Sequence, residues 1–418
     1  MIGAVSGIII VIIAFALGNT LPRFARNAFR LAMLARLSIS VLNVMMDGQM
    51  IGAEGDANTF YLVAIELSSN IANLAWDFGT LFSGIRGFLN VHALIQWALG
   101  GESFFLAHSF SLLGAALCLI LISKIWLLLV PTEYKRLPYV LLIYSLLPSV
   151  LSIQSYVLRE VWQSLCLFGI LWMSLHIQRH GYSVIRICVM LIFAFIGCFL
   201  QGAMIVIIIL TLIGGALIQG KISLTRWFIK PARLFKYGLI LVFFLLIFSP
   251  LITRSAYYQD ILVGNLAQRA ESYADGVLMS ASGARAEYGK QFYAVSPWTL
   301  ISAFAAYQIM PLPWQFEGIA DLVLFVENMF RVLLLLSYLF YRKKLTQSHK
   351  DNMDVLVLMW FLIEIIFSLG TINWGTAARH HVPAVGLLLI VGLASRYLVK
   401  TEHLCIRRHQ PINQLGGQ

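Results

Sequence analysis

Three short strings in this chain hold residue types able to work on an anionic, hydroxyl-rich substrate. In the stretch from Gly370 to Pro383, Arg379, His380 and His381 stand in a row beside Asn373 and Trp374. Arg159 and Glu160 are adjacent, with Trp162 and Gln163 one helical turn on, and Asp56 lies in a Gly-Asp-Ala-Asn string followed by Glu66. A guanidinium matches phosphate oxygens with a planar, bidentate fork. A carboxylate accepts a hydroxyl proton or positions the hydroxyl. Each string also has a structural reading: an interfacial anchor for Arg379 to His381, a local ion pair closing a helix end for Arg159 and Glu160, and an N-cap for Asp56. The rings of His380 and His381 diverge on a helix and make a poor chelate, so no metal site is expected.

The elements that must position these residues are membrane spans. The chain has 418 residues, 60% hydrophobic and 12% charged, with a mean hydropathy of +0.82. Soluble domains carry about 25% charged residues. An integral membrane protein with many spans is the class that fits. Cys118, Cys166, Cys188, Cys198 and Cys405 have no paired spacing, so neither a disulfide framework nor a zinc site is expected.

The net charge of +11 is not a nucleic-acid signature. Six basic segments (Asn19–Arg30, Thr132–Leu137, Gln178–Arg186, Gln219–Lys236, Arg342–Lys350 and the tail from Arg396) hold twenty Lys and Arg. The opposite loops hold seven: Arg86, Arg159, Arg254, Arg269, Arg285, Lys290 and Arg379. This imbalance follows the positive-inside pattern and puts the first set in the cytoplasm. Fourteen of the nineteen acids then fall in or beside external segments, where topology does not force them. Near the midplane stand only Arg36, Lys124, Arg331 and Glu364.

The hydropathy pattern predicts an all-α polytopic protein of about eleven spans, N-terminus out and C-terminus in. Residues 1–400 form a single transmembrane domain and 401–418 a cytoplasmic tail. Two long external segments interrupt the spans, Asp47–Glu102 and Thr253–Gly318, and loops of such length carry structure or function. In the first, Phe60, Val63, Ala64 and Leu67 have helical spacing from Asp56 onward, and a weaker amphipathic piece covers Leu89–Leu99. Both are expected to lie on the outer membrane face. The apolar run Ile185–Ile218 must break at Gln201-Gly202 if both its flanks are inside. Leu137–Tyr156 reads as one span, and Trp298–Met310 as an interfacial piece ending in Pro311-Leu-Pro313-Trp314. Tyr257 and Trp314 are candidates for stacking on sugar rings, though interfacial aromatics need no ligand. Arg254, Arg269 and Arg285 are further candidates for holding an anion.

At Gly55-Asp56-Ala, Leu158-Arg159-Glu160, Pro311-Leu-Pro313-Trp314 and Asn373-Trp-Gly-Thr-Ala-Ala-Arg379-His-His, the chain resembles bacterial polysaccharide polymerases of the Wzy-like O-antigen and capsule type. It is similar, more distantly, to the GT-C membrane glycosyltransferases, which place an early carboxylate in the first external loop, where Asp56 stands. Those enzymes often have a pair of acids there, whereas Asp56 is followed only by Glu66. The resemblance implies action on polyprenyl-diphosphate-linked saccharides at the outer face of the bacterial inner membrane, with no cofactor. It implies membrane lipid, a chain-length regulator and a flippase as partners, and no nucleic acid. A diphosphate leaving group departs as an anion, which suits Arg159 and Arg379. The acceptor hydroxyl needs a base or a positioning carboxylate, which suits Asp56 or Glu160. Within the same chemistry stand a GT-C transferase using a polyprenyl-phosphate sugar and an O-antigen ligase. From other classes stand a lipid-linked glycan flippase and an assembly scaffold.

Overall fold

A computed structural model of the chain describes residues 2–48, 56–72, 85–219, 297–369, 371 and 374–409. Among them all regular structure is helical. The helices are α1 (Ile2–Leu17), α2 (Arg23–Met45), α3 (Asp56–Ala72), α4 (Ile85–Ala98), α5 (Phe104–Leu129), α6 (Leu137–Leu146) and α7 (Pro148–Ile153). After them come α8 (Glu160–His180), α9 (Val184–Leu200), α10 (Gly202–Gln219), α11 (Pro297–Ile309), α12 (Ile319–Arg342), α13 (Gln347–Leu369) and α14 (Trp374–His409). Five stretches are long and apolar enough to cross a membrane: Ile2–Thr20, Arg23–Met45, Phe104–Leu129, Glu160–His180 and Trp374–Lys400. α9 and α10 are shorter apolar helices.

Burial sorts these helices into centre and rim. The apolar windows of α8 and α14 are each 83% buried, whereas that of α1 is 22% buried, with Ile2, Val5, Ile8, Ile9, Ile12 and Ile13 exposed. α8 and α14 pack on each other at the centre, α5 and α9 against α8, and α12 and α13 against α14. Lipid supplies no hydrophobic drive between helices, so close approach through small residues matters more than in water. A Cβ on Gly386 would meet the Phe168 ring at 2.4 Å, and one on Gly392 would meet the Leu334 carbonyl oxygen at 2.8 Å. Backbone cannot swing aside as a side chain can. Gly392→Val is therefore expected to cost about 1–3 kcal/mol by overpacking, read as a lowered Tm in detergent; an unchanged Tm would show that α12 and α14 can separate freely.

Several expected boundaries hold and one differs. The run 185–218 breaks where predicted: Gln201 is extended (φ −168°, ψ 146°) between α9 and α10. α3 buries Ala57, Phe60, Ala64 and Ile71, in keeping with its spacing. The stretch expected as one span over 137–156 is divided at Leu147 (φ −59°, ψ 124°), because Pro148 drives its predecessor out of the helical region. The piece over 298–310 is helical and docks on α13, where Phe304 and Phe361 lie 5.0 Å apart.

α4 buries a mixed face, with Phe88, Leu89 and Ala93 beside Asn90, His92 and Gln96, while Val91 and Trp97 are exposed. Gln96 is satisfied there, since its amide bonds both the N–H and the carbonyl of Ser103 at 3.1 Å and ties α4 to the start of α5. Burial, with His108 nearby as the lesser cause, pushes the His92 imidazole down to about 3.

Charge separates the two ends of the bundle. At one end Arg342 grips Asp354 at 2.5 Å, Gln178 bonds Asn352 at 3.2 Å, and Arg136 lies over the Tyr397 ring. At the other, Glu160 meets Arg379 and Glu364 meets His381. Reporter fusions are expected to put Lys343 inside and Trp374 outside. A shared side for the two would overturn this orientation. The predicted inside position of Lys221–Lys236 and outside positions of Asp77 and Gly276 concern residues outside those described.

Candidate functional site: a buried ion cluster at one end of the bundle

α8 begins at Glu160, which puts a carboxylate in the first turn, where the helix dipole favours negative charge. Glu160 is fully buried. Arg379, in the second turn of α14, donates from Nη2 at 2.7 Å and from Nε at 3.3 Å to Glu160 Oε1. Arg159 Nε approaches the same oxygen at 3.8 Å. Two guanidinium groups separated by more than half the chain therefore converge on one carboxylate oxygen. Oε2 of Glu160 has no hydrogen-bond partner among the described residues.

The helices hold this geometry by local means. Ser164 Oγ donates to the Glu160 carbonyl at 2.8 Å and approaches the Val382 carbonyl at 3.4 Å, pinning α8 to α14. Pro383 lies inside α14 and lacks the N–H that would bond the Arg379 carbonyl, which loosens the helix at the site. Gln163 Nε2 bonds Gln201 Oε1 at 2.9 Å, so the break between α9 and α10 sits beside the same end of α8.

His380 and His381 turn to different neighbours. Thr371 gives its hydroxyl proton to the Phe367 carbonyl, so its oxygen accepts from His380 Nδ1 at 2.6 Å, and the His380 ring stacks on Phe367. His381 Nε2 lies 3.1 Å from the Tyr307 carbonyl, an acceptor only, and must carry hydrogen there. That leaves Nδ1 facing Glu364 Oε2 at 2.5 Å with a single proton between them. Gln308 Nε2 donates to the same oxygen at 2.8 Å, and Glu364 Oε1 has no partner among the described residues. The rings diverge as expected, and among the described residues no cluster could hold a metal.

The remaining predicted residues are placed as follows. Trp374 is buried against Ala306, with Met310 and Leu324 alongside. Trp314 is 80% exposed and joins no part of the cluster. Glu66 is exposed on α3 and is not brought to the arginines. Asp56 is the first residue of α3, at the predicted helix start, but its side chain lies outside what is described, as do Arg254, Tyr257, Arg269, Arg285 and Asn373.

Sequence reading missed the inner part of the cluster. Arg331 and Glu364 were read only as charges near the midplane, whereas Glu364 bonds His381 and Arg331 is buried on α12. The correction follows from α12, whose buried positions are Asp321, Glu327, Asn328, Arg331, Leu334 and Tyr338, a polar stripe at helical spacing. Its opposite face, Leu322, Val326, Leu333, Leu336 and Phe340, is exposed. That inverted amphipathic pattern was the available signal.

Fold and site define a class, a helical protein with five described stretches fit to cross a membrane and a buried ion cluster where several helices end. Comparison with family models, curated proteins and solved structures finds no match to this chain.

Proposed function

We propose that the chain is a membrane glycosyltransferase that polymerises polyprenyl-diphosphate-linked oligosaccharide repeat units of a surface polysaccharide, O-antigen or capsule. In this reading it spans the bacterial inner membrane about eleven times and works at its outer face without a cofactor. The observation that carries the proposal is the convergence of Arg159 and Arg379 at one bundle end, at a carboxylate with one oxygen bound and the other unpartnered among the described residues.

The chemistry asks for little more than charge and position. The bond from the sugar's anomeric carbon to the diphosphate oxygen breaks, the acceptor hydroxyl oxygen bonds to that carbon, and the hydroxyl proton leaves. The departing diphosphate carries the developing negative charge, which Arg159 and Arg379 stabilise from a site with little water. Glu160 aligns the two guanidinium groups through Oε1, and Oε2 receives or orients the acceptor hydroxyl, a role it shares with Asp56. Tyr257, Trp314, Asn373 and Trp374 contact the sugars, with Arg254, Arg269 and Arg285 as further anion contacts from the second external segment. Lipid carriers enter sideways between helices.

Purified protein in detergent given a lipid-linked repeat unit is expected to produce a ladder of longer glycans and to release polyprenyl diphosphate. A flippase is the reading of another class, favoured by the ionisable group at Arg331, Glu364 and His381 among the helices, since such residues often mark a substrate path. Translocation of the lipid-linked unit across vesicles with no ladder would replace the enzyme by the transporter. Asp56→Asn preserves N-capping, because Asn and Asp cap about equally, and is expected to stop polymer formation at normal protein level. Full activity would return Asp56 to a purely structural role.

A further inference from the structure

At the end of the bundle assigned to the cytoplasm, a row of basic and aromatic side chains runs across three helices and takes no part in the cluster around Glu160. Lys124 Nζ, on α5, lies 4.1 Å from the centre of the Trp172 ring on α8. The Trp172 and His176 rings are 6.1 Å apart, and those of His176 and His180, one turn further on, are 4.4 Å apart. Arg186, in the first turn of α9, donates from Nη1 to the carbonyls of His180 at 3.0 Å and Gly181 at 2.6 Å. The row is therefore continuous from α5 to α9, and both of those helices pack on α8. It is also open to its surroundings: Lys124 and His180 are exposed, and Trp172, His176 and Arg186 are half-buried.

A lysine and a tryptophan near a span end can simply fix its depth in the membrane. Anchors of that kind need not gather. Here no carboxylate pairs with any of the five side chains among the described residues. Arg186 directs its printed hydrogen bonds to helix-end carbonyls, which leaves its charge uncancelled. Cations gathered without an acid attract an anion, and ammonium, guanidinium and imidazole N–H groups all donate to phosphate oxygens. Apolar surface adjoins the charge, because Val184 and Ile185 are exposed just before Arg186 and Ile192 and Ile196 are exposed further along α9. We propose that Lys124, His176, His180 and Arg186 form a binding site for an acidic phospholipid of the inner leaflet, with its phosphate on the basic row and its acyl chains along α9. Trp172 holds the Lys124 ammonium at its ring face. The site goes beyond the glycan chemistry proposed above and does not depend on it.

The test uses the full chain in phosphatidylcholine vesicles, into which phosphatidylglycerol with brominated acyl chains is introduced in increasing proportion. Bromine quenches indole fluorescence on contact, and the difference between the parent and Trp172→Phe isolates Trp172. Trp172 is expected to be half-quenched at a far lower proportion of brominated phosphatidylglycerol than of brominated phosphatidylcholine. Equal proportions would reduce the row to a depth anchor and end the proposal. Lys124→Met keeps an apolar stem on Trp172 and removes the charge, so the half-quenching proportion of phosphatidylglycerol is expected to rise about fivefold, the weight of one basic residue at an acidic lipid surface. Lys124→Arg is expected to restore it. A folded Lys124→Met protein with parent-like quenching would overturn the site; where that variant does not fold, His180→Gln, at an exposed position, carries the same test. Lys343→Gln removes an exposed charge at the same end and is expected to change nothing at Trp172. A shift as large as that of Lys124→Met would show that diffuse surface charge, not this row, attracts the lipid. Glycerol 3-phosphate in excess is expected to leave the quenching in place; reversal would assign the row to a free phosphate ester and end the lipid proposal.

Discussion

Glu160→Gln is expected to destabilise the protein by about 3–5 kcal/mol, the usual cost of breaking one side of a buried ion pair. The carboxylate is fully buried, and its Oε1 takes two contacts from Arg379 and the approach of Arg159. A neutral amide keeps the shape and removes the charge that both guanidinium groups face. The loss is expected to be shared rather than additive: Arg379→Met alone strands Glu160 against Arg159, whereas Glu160→Gln with Arg379→Met removes the closest pair together and should recover a large part of the stability. Thermal melting of the four proteins measures the coupling. A Glu160→Gln variant that melts like the parent would mean the charge pair holds neither α8 nor α14 in place, and a catalytic alignment through Glu160 would lose its basis.

How far these residues could be found without the structure depends on what each signal measures. The break at Gln201 was legible because a polar pair in the middle of an apolar run has one cheap explanation, and α3 was legible because helical spacing reports its buried face directly. Pro148 was read through as part of a span, although the residue before a proline resists helical geometry wherever it lies. The inner half of the cluster was hidden for another reason. Hydropathy over a window tells how deep Arg331 and Glu364 lie, but not which neighbour they face. Only the packing of α13 against α14 brings Glu364 to His381, and only the packing of α12 against α14 buries Arg331. α4 was legible as a helix but not in its covered face, where Asn90, His92 and Gln96 are buried together with Phe88, Leu89 and Ala93. The convergence of Arg159 and Arg379 was expected, with a diphosphate as its object; within the chain that object is Glu160.

That finding sharpens the expectation for the two arginines. If Glu160 holds them ready for an arriving diphosphate, the charge alone is insufficient, because the planar fork must serve a carboxylate oxygen and phosphate oxygens at once. Lysine keeps the charge as a compact ammonium and loses the fork. Arg379 already uses two of its nitrogens on Glu160 Oε1, at 2.7 and 3.3 Å, so a lysine there has to choose between carboxylate and substrate. Arg159→Lys and Arg379→Lys are therefore each expected to slow turnover by about a hundredfold, the scale of losing one preorganised donor to a developing anion. The measurement is the rate of ladder growth and of polyprenyl diphosphate release in detergent, at matched amounts of folded protein, so that any loss of the Glu160 contact is separated from loss of chemistry. Parent-like rates in both lysine variants would remove these arginines from the reaction and pass the leaving group to Arg254, Arg269 and Arg285. A slow Arg379→Lys beside a parent-like Arg159→Lys would instead assign the leaving group to α14 alone, with Arg159 acting on the substrate only through Glu160.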